Sequence, residues 1–211
     1  MEDRLRIWEA LFRKALRAID SADPGVFRPE NWSFGGGTVL MRRYHHRLSK
    51  DIDIFVPDPQ YLGYLSPRLN DTVSELTSNY NEQTTFLKLY FDEGEIDFIV
   101  SRPLTTRPTL VETIFDRPIR VDTSAEILAK KLNYRGSEFA ARDIFDFSLI
   151  AEKERDAIEK ARPYIREQRN AILARISSAD KILRTTFAAL EKLDYHRTYD
   201  ECVDIVKDVL N

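Results

Sequence analysis

The chain has 211 residues, of which 43% are hydrophobic, 11% aromatic and 32% charged, enough for one large domain or two small ones with real cores. Only 7 Gly and 9 Pro, no apolar run near the roughly 20 residues that span a bilayer, and a charged opening Met1-Glu2-Asp3-Arg4-Leu5-Arg6 exclude collagen-like, low-complexity, membrane-spanning and exported classes, so a cytoplasmic protein is expected. A net charge of −3 excludes a globally basic nucleic-acid-coating protein, and a single cysteine, Cys202, excludes internal disulfides and thiolate metal sites.

From Asp3 to about Ile19, the residues Leu5, Trp8, Leu11, Phe12, Ala15, Leu16 and Ile19 recur at the three- and four-residue spacing of an amphipathic helix. The stretch Ser21-Ala22-Asp23-Pro24-Gly25 ends it. A glycine cluster, Gly35-Gly36-Gly37-Thr38, then turns into a short helix. Its end is basic, Arg42 to Lys50 holding four formal positive charges and two histidines. The β-branched run from Asp51 to Val56 reads as a buried strand with two acids on one face, followed by a helix over 59–79. Residues 84–91 and 95–100 read as a hairpin closed by Asp92-Glu93-Gly94. Residues 103–118 read as irregular, with a short strand over 119–121.

Thr123 and Glu126 form a capping-box pair that opens a helix through Lys131. Consecutive helices follow, over about 123–134, 139–153, 156–175, 178–193 and 197–210. The expected architecture is therefore α+β or α/β: a small mixed-sheet core over 1–122, including the N-terminal helix, and a C-terminal helical bundle over 123–211.

The chemistry concentrates in one constellation. Alternate strand residues share a face, so Asp51 and Asp53 project together, and Asp97 on a later strand can bring a third carboxylate to them. Clustered carboxylates repel unless a cation sits among them, and oxygen-only donors favour Mg²⁺ or Mn²⁺ over zinc. Gly36, Gly37 and Thr38 ahead of a helix suit a phosphate approaching backbone N–H groups. The loop is neither a P-loop, because Val39-Leu40 follows Thr38, nor a GxGxxG fingerprint. Downstream, Lys131 and Arg135 lie one turn apart on a helix, and Asp143 and Asp146 share a face three residues apart, so Asp143 could instead pair with Arg135 and lock two helices. His45 and His46 read as ordinary polar residues rather than metal ligands, and Cys202 as a small core residue.

The segments Phe34-Gly35-Gly36-Gly37-Thr38-Val39-Leu40 and His46-Arg47-Leu48-Ser49-Lys50-Asp51-Ile52-Asp53-Ile54 resemble the first motif of the nucleotidyltransferase superfamily, in the form typical of the AbiEii/AbiGii toxins of type IV toxin–antitoxin and abortive-infection systems. A second likeness is Lys131-Leu132-Asn133-Tyr134-Arg135 followed by Arg142-Asp143-Ile144-Phe145-Asp146, similar to that family's downstream signature. The resemblance spans about residues 30–150. It implies a metal-dependent enzyme that moves a nucleoside monophosphate from a nucleoside triphosphate to an acceptor hydroxyl, releasing pyrophosphate. Metal ligands would be Asp51, Asp53 and Asp97, with Asp97 also the general base, Lys131 a phosphate contact and Asp143 a nucleotide-site or catalytic acid. Gly36, Gly37, Thr38, Arg47, Ser49, Arg135 and Asp146 would complete the nucleotide contacts. The acceptor implied is RNA, tRNA above all, held by the basic run Arg42 to Lys50, and a cognate antitoxin protein is an implied partner. Two alternatives remain open: nucleotidylation of a small molecule such as an antibiotic or of a protein side chain, and a nucleotide-binding regulator without turnover.

Overall fold

The computed structural model describes residues 2–25 and 27–211, the first two of them by backbone alone. The chain divides into two compact units: Met1–Val39, Ser49–Pro103 and Thr109–Asp122 form the first, and Leu40–Leu48, Leu104–Pro108 and Thr123–Asn211 the second.

The first unit is built on a mixed seven-stranded sheet. Helices α1 (Glu2–Leu5) and α2 (Ile7–Ser21) precede strand β1 (Ser33–Gly35), and helix α3 (Gly36–Tyr44) starts directly at the end of β1. Strand β2 (Ile52–Val56), the short helices α4 (Gln60–Leu65) and α5 (Asp71–Leu76), and strands β3 (Tyr80–Glu82), β4 (Phe86–Phe91), β5 (Gly94–Val100), β6 (Thr109–Ile114) and β7 (Arg117–Asp122) complete it. The strand order is β3-β4-β5-β2-β1-β7-β6, with β2–β5 and β1–β7 parallel and the other neighbours antiparallel.

Alternation sorts the two faces of the sheet. Ile52, Ile54, Leu87, Leu89, Ile96 and Phe98 are fully buried, while their neighbours Asp53, Lys88 and Asp97 are only half-buried on the opposite face. Helix α2 packs on β2 and β5 through the predicted stripe, and its Phe12 stacks on Phe34 of β1 with ring centroids 4.4 Å apart. Asp53, the one acid on β2, is therefore on an open face rather than within a strand buried on both sides, and Asp51 lies just before the strand.

Two expectations fail in this unit. The single helix over 59–79 is two one-and-a-half-turn helices, because Ser66-Pro67 breaks the first and Asn70 caps a new start, its side chain accepting the Val73 N–H. The irregular 103–118 stretch contains β6 and the start of β7. Their hairpin turns at Phe115 and Asp116, both left-handed at φ 52° and 59°, a turn without the Gly or Asn that marks such hairpins in sequence. Pro118 also argues against a strand at sequence level, yet it is accommodated opposite Thr113.

The second unit is helical: α6 (Ser124–Arg135), α7 (Ala141–Lys153), α8 (Arg155–Ser178), α9 (Asp180–Ala188) and α10 (Tyr199–Leu210). Helix α7 packs against α6, α8, α9 and α10, burying Ile144, Phe145, Phe147 and Ile150 completely. Residues 190–193, expected to be helical, are extended instead. They pair with the chain after α3, Leu48 N–H donating to the Glu191 carbonyl and Leu193 N–H to the His46 carbonyl. The Thr123 cap forms, its hydroxyl accepting the Glu126 N–H. Glu126, however, is fully buried and takes the N–H groups of Leu104 and Thr105 rather than completing a box. Among the described residues no helix is long and apolar enough to cross a membrane.

Candidate active site

In the first unit the register lines up five residues across neighbouring strands: Gly35 on β1 faces Asp53 on β2, Asp53 faces Asp97 on β5, Asp97 faces Lys88 on β4, and Lys88 faces Asn81 on β3. Paired residues point to one face, so two carboxylates stand side by side at the centre of the row. Gly36, at φ +72°, adopts a backbone that only glycine takes easily, and any Cβ there would collide with Asp53 Oδ2. A Cβ on Gly35 would strike the buried Asp122 carboxylate and the Phe55 ring. These two glycines bring the start of α3 right against the acid pair.

Within the pair, Asp97 is short of compensation. Lys88 Nζ reaches Asp97 Oδ2 at 3.0 Å and Glu95 Oε2 at 2.6 Å, whereas Asp97 Oδ1 is buried and has no hydrogen-bond partner. Burial and then the charge of Asp53 push the Asp97 pKa up to about 6, against the pull of Lys88. Lys88 itself is held well above the ordinary lysine range: burial works against its charge, and Glu95 and Asp97 outweigh it.

The other motif residues have mostly structural partners. Thr38 is fully buried; its hydroxyl donates to the Asp51 carbonyl at 2.6 Å and stands 3.1 Å from Ser49 Oγ, tying the start of α3 to the approach of β2. Asp51 Oδ1 accepts the Glu95 N–H at 3.1 Å, so this acid braces the β4–β5 hairpin. The structure thus brings Asp53 and Asp97 together and turns Asp51 aside. Among the described residues no three of His, Cys, Asp and Glu gather as a metal cage. Two facing carboxylates with a bare buried oxygen still suit Mg²⁺ or Mn²⁺, because Mg²⁺ is commonly held by one or two carboxylates together with waters and substrate phosphates.

The downstream signature forms a separate cluster within the helical unit. Lys131 Nζ donates to Asp143 Oδ1 at 2.6 Å and reaches Asp146 Oδ2 at 3.0 Å. Arg47 grips Asp146 with both Nε and Nη2, at 2.7 and 2.8 Å, and His46 Nε2 lies 2.8 Å from the same carboxylate. Arg135 Nη1 and the Ala140 N–H, each at 3.1 Å, complete Asp143. Both aspartates are fully shielded from solvent. Burial opposes their charge, but the cations overcome it: Asp143 titrates below the usual carboxylate range, and Asp146, against Arg47 and Lys131, well below. His46 is pushed down by burial and stays neutral, its Nδ1 without a partner. Lys130 lies 3.5 Å from Glu126, so of the two adjacent lysines it is Lys131 that meets the signature acids.

The basic run expected as one surface patch is divided. Arg47 and His46 are interior, Arg42 and Arg43 half-exposed, and only His45 and Lys50 fully at the surface. Cys202 is buried and its thiol pushed up to about 11 by that burial, the behaviour of a core residue. Sequence reasoning missed Lys88, which sits in an ordinary-looking strand; its signal is the hairpin register that sets it opposite Asp97.

The fold has known counterparts. A candidate nucleotidyltransferase from H. pylori is similar at TM-score 0.57 and 14% identity, over 100% of this chain and 94% of that one. JHP933 from Helicobacter pylori gives TM-score 0.56 and 14% identity, over 100% and 91%. MenT4, a nucleotidyltransferase toxin from Mycobacterium tuberculosis H37Rv, gives TM-score 0.52 and 14% identity, over 98% and 82%. At such identity these likenesses speak to the fold alone. No curated protein matches the chain. The sequence profile of the family described as nucleotidyl transferase AbiEii toxin, type IV TA system, matches residues 17–208. With nearly the whole sequence matched, the chain belongs to the AbiEii family of nucleotidyltransferase toxins of type IV toxin–antitoxin systems.

Proposed function

We propose that the chain transfers a nucleoside monophosphate from a nucleoside triphosphate to an RNA hydroxyl, with tRNA the leading acceptor and Mg²⁺ or Mn²⁺ required. The observation that carries this reading is the Asp53–Asp97 pair, with its bare Asp97 oxygen, set beside a glycine-opened helix start. A divalent ion bound by Asp53 and Asp97 would supply charge neutralisation for the triphosphate and the developing alkoxide.

The chain's own groups perform the rest. Phosphate oxygens would meet the N–H groups at the start of α3, which opens with Gly36 and Gly37 and whose dipole favours negative charge there. The acceptor hydroxyl attacks the α-phosphorus in line; the new P–O bond forms as the bond to the bridging oxygen breaks, and pyrophosphate leaves. Asp97 takes the hydroxyl proton, on the oxygen that no protein group donates to. Thr38 and Ser49 act by fixing the glycine turn against β2. Lys131, Arg47, Asp143 and Asp146 act as a rigid support for the helical unit, the reading their mutual saturation favours.

The test is incubation of the purified protein with Mg²⁺, each labelled nucleoside triphosphate in turn and total RNA, beside Asp53→Ala, resolved on a denaturing gel. Label should move to a tRNA-sized band with the wild type alone. Nucleotide turnover without RNA labelling would move the acceptor to a small molecule or a protein, and equal labelling by Asp53→Ala would remove the acid pair from the chemistry.

A further inference from the structure

The acid pair has a third occupant of the same row. Lys88 lies directly opposite Asp97 in the β4–β5 register, with its side chain 26% exposed, and its ammonium is shared between two carboxylates, Asp97 and Glu95. The two contacts differ. Glu95 Oε2 is nearer, at 2.6 Å, and Glu95 is the more exposed acid at 39%; Asp97 Oδ2 is at 3.0 Å and its side chain is 20% exposed. Asp97 is therefore engaged on one oxygen and bare on the other, with Asp53 on its far side.

Without Lys88, Asp97 and Glu95 would lose the cation they share while Asp97 still faced Asp53, and like charges this crowded are unfavourable. An ammonium on a four-carbon stem is suited to such a place, because it neutralises one charge and can swing between acceptors at little cost. It also competes. An ammonium on Asp97 repels a divalent ion approaching the same carboxylate, and the closer contact to Glu95 gives it somewhere to go.

We propose that Lys88 is a built-in counter-cation, shared between Asp97 and Glu95 in the metal-free protein and left to Glu95 alone when a divalent ion takes the Asp53–Asp97 pair. Lys88 is thus a positioning residue: it keeps the acid row folded when no metal is bound and sets how tightly the row takes metal in the absence of nucleotide. This inference rests on the proposed metal role of Asp53 and Asp97.

Its test is Mn²⁺ binding to the nucleotide-free protein by calorimetry, with thermal unfolding in chelator and in saturating Mn²⁺ as a second readout. Lys88→Met should bind Mn²⁺ more tightly, by roughly five- to tenfold, since a repelling unit charge has been removed at short range. It should also melt lower than wild type in chelator and gain more from Mn²⁺. Lys88→Arg, which keeps the charge, should stay near the wild type. Glu95→Gln should weaken Mn²⁺ binding, and do so less in the Lys88→Met background, because the acid then has no lysine to receive.

Unchanged or weaker Mn²⁺ binding by a folded Lys88→Met protein overturns the inference, as does Lys88→Arg behaving like Lys88→Met. Asp53→Asn separates the two layers. If it binds Mn²⁺ as the wild type does, the metal reading falls and the Lys88 inference with it; if it loses binding while Lys88→Met shows no gain, only the latter falls.

Discussion

Two pairs of aspartates, one in each unit, have opposite environments. Asp143 and Asp146 are completely enclosed, yet every charge on them is met: Lys131 bridges both, Arg47 clasps one and Arg135 the other. Asp53 and Asp97 are half-exposed, yet they face each other across two parallel strands, and Asp97 keeps an oxygen that nothing donates to. Burial alone does not tell the two pairs apart in chemistry: a saturated carboxylate has no lone pair to offer a ligand, whereas a bare oxygen such as Asp97 Oδ1 is costly to keep without a use, which is why the proposed site is placed at Asp97 and its neighbour.

The largest effect expected from this contrast lies in the helical unit. Asp146→Ala leaves the buried Arg47 and Lys131 without their shared anion, and stability should fall by about 3–5 kcal/mol in a urea titration. Asp53→Asn should do the reverse in kind: it relieves repulsion at Asp97, so the urea midpoint should hold or rise while nucleotide transfer is lost. A stable, inactive Asp146→Ala beside an unstable Asp53→Asn would invert the assignment of scaffold and site.

A smaller effect, about 3 kcal/mol or less, distinguishes the pairs by pH. Asp97 has a native pKa of about 6, above its unfolded value near 3.9, so the native state binds the extra proton between these values and stability falls as pH rises through 6. Asp143 and Asp146 are depressed, so their contribution is complete above about pH 4 and is lost as pH falls below it. His46, held neutral by burial, adds to the acid side: the unfolded chain protonates first, and stability is lost as pH drops below about 6.5. Asp97 and His46 therefore oppose each other over the same interval. Asp97→Asn removes one slope only. In chelator its melting temperature should exceed the wild type's at pH 7.5, and the gap should close by pH 4; a gap independent of pH would mean that Asp97 is not strained by its neighbours.

The same contrast explains what could be read from the sequence. The α2 stripe, the glycine turn, Asp53 on β2 and the order of sheet then helices follow from local periodicity and turn chemistry, and all are present, whereas Asp51, expected on the same strand face, lies before β2. Asp53 with Asp97 was legible because strand alternation is local and a parallel neighbour is the simplest way to bring the second acid up. The fate of Asp51 was not, since it depends on the Gly94–Glu95 backbone folding back against it. Nor was the inward turn of Arg47, which requires residues 191–193 to pair with the segment after α3. Asp143 with Arg135 was visible as a helix-locking alternative from spacing alone, but Arg47 and His46 lie about a hundred residues from Asp146, beyond any local pattern. The β6–β7 hairpin escaped because its turn is Phe115-Asp116 and its outer strand exposes Leu110 and Val111, so neither turn residue nor alternation announces it.

The smallest expected effect concerns the cations rather than the acids. If an RNA backbone lies along the basic end of α3, each Lys or Arg that meets a phosphate contributes about one unit to the slope of log affinity against log salt. Arg42 is half-exposed there, whereas Arg47, five residues on, is turned inward and bound to Asp146 through two nitrogens. Arg42→Ala should therefore lower the salt slope of RNA binding by about one. Arg47→Ala should leave the slope alone and lose stability, since its charge is spent inside the protein and never reaches a phosphate. A salt slope that responds to Arg47 rather than Arg42 would mean that the interior network opens to bind RNA, and the distinction between a saturated scaffold and an unsaturated site would have to be redrawn around that opening.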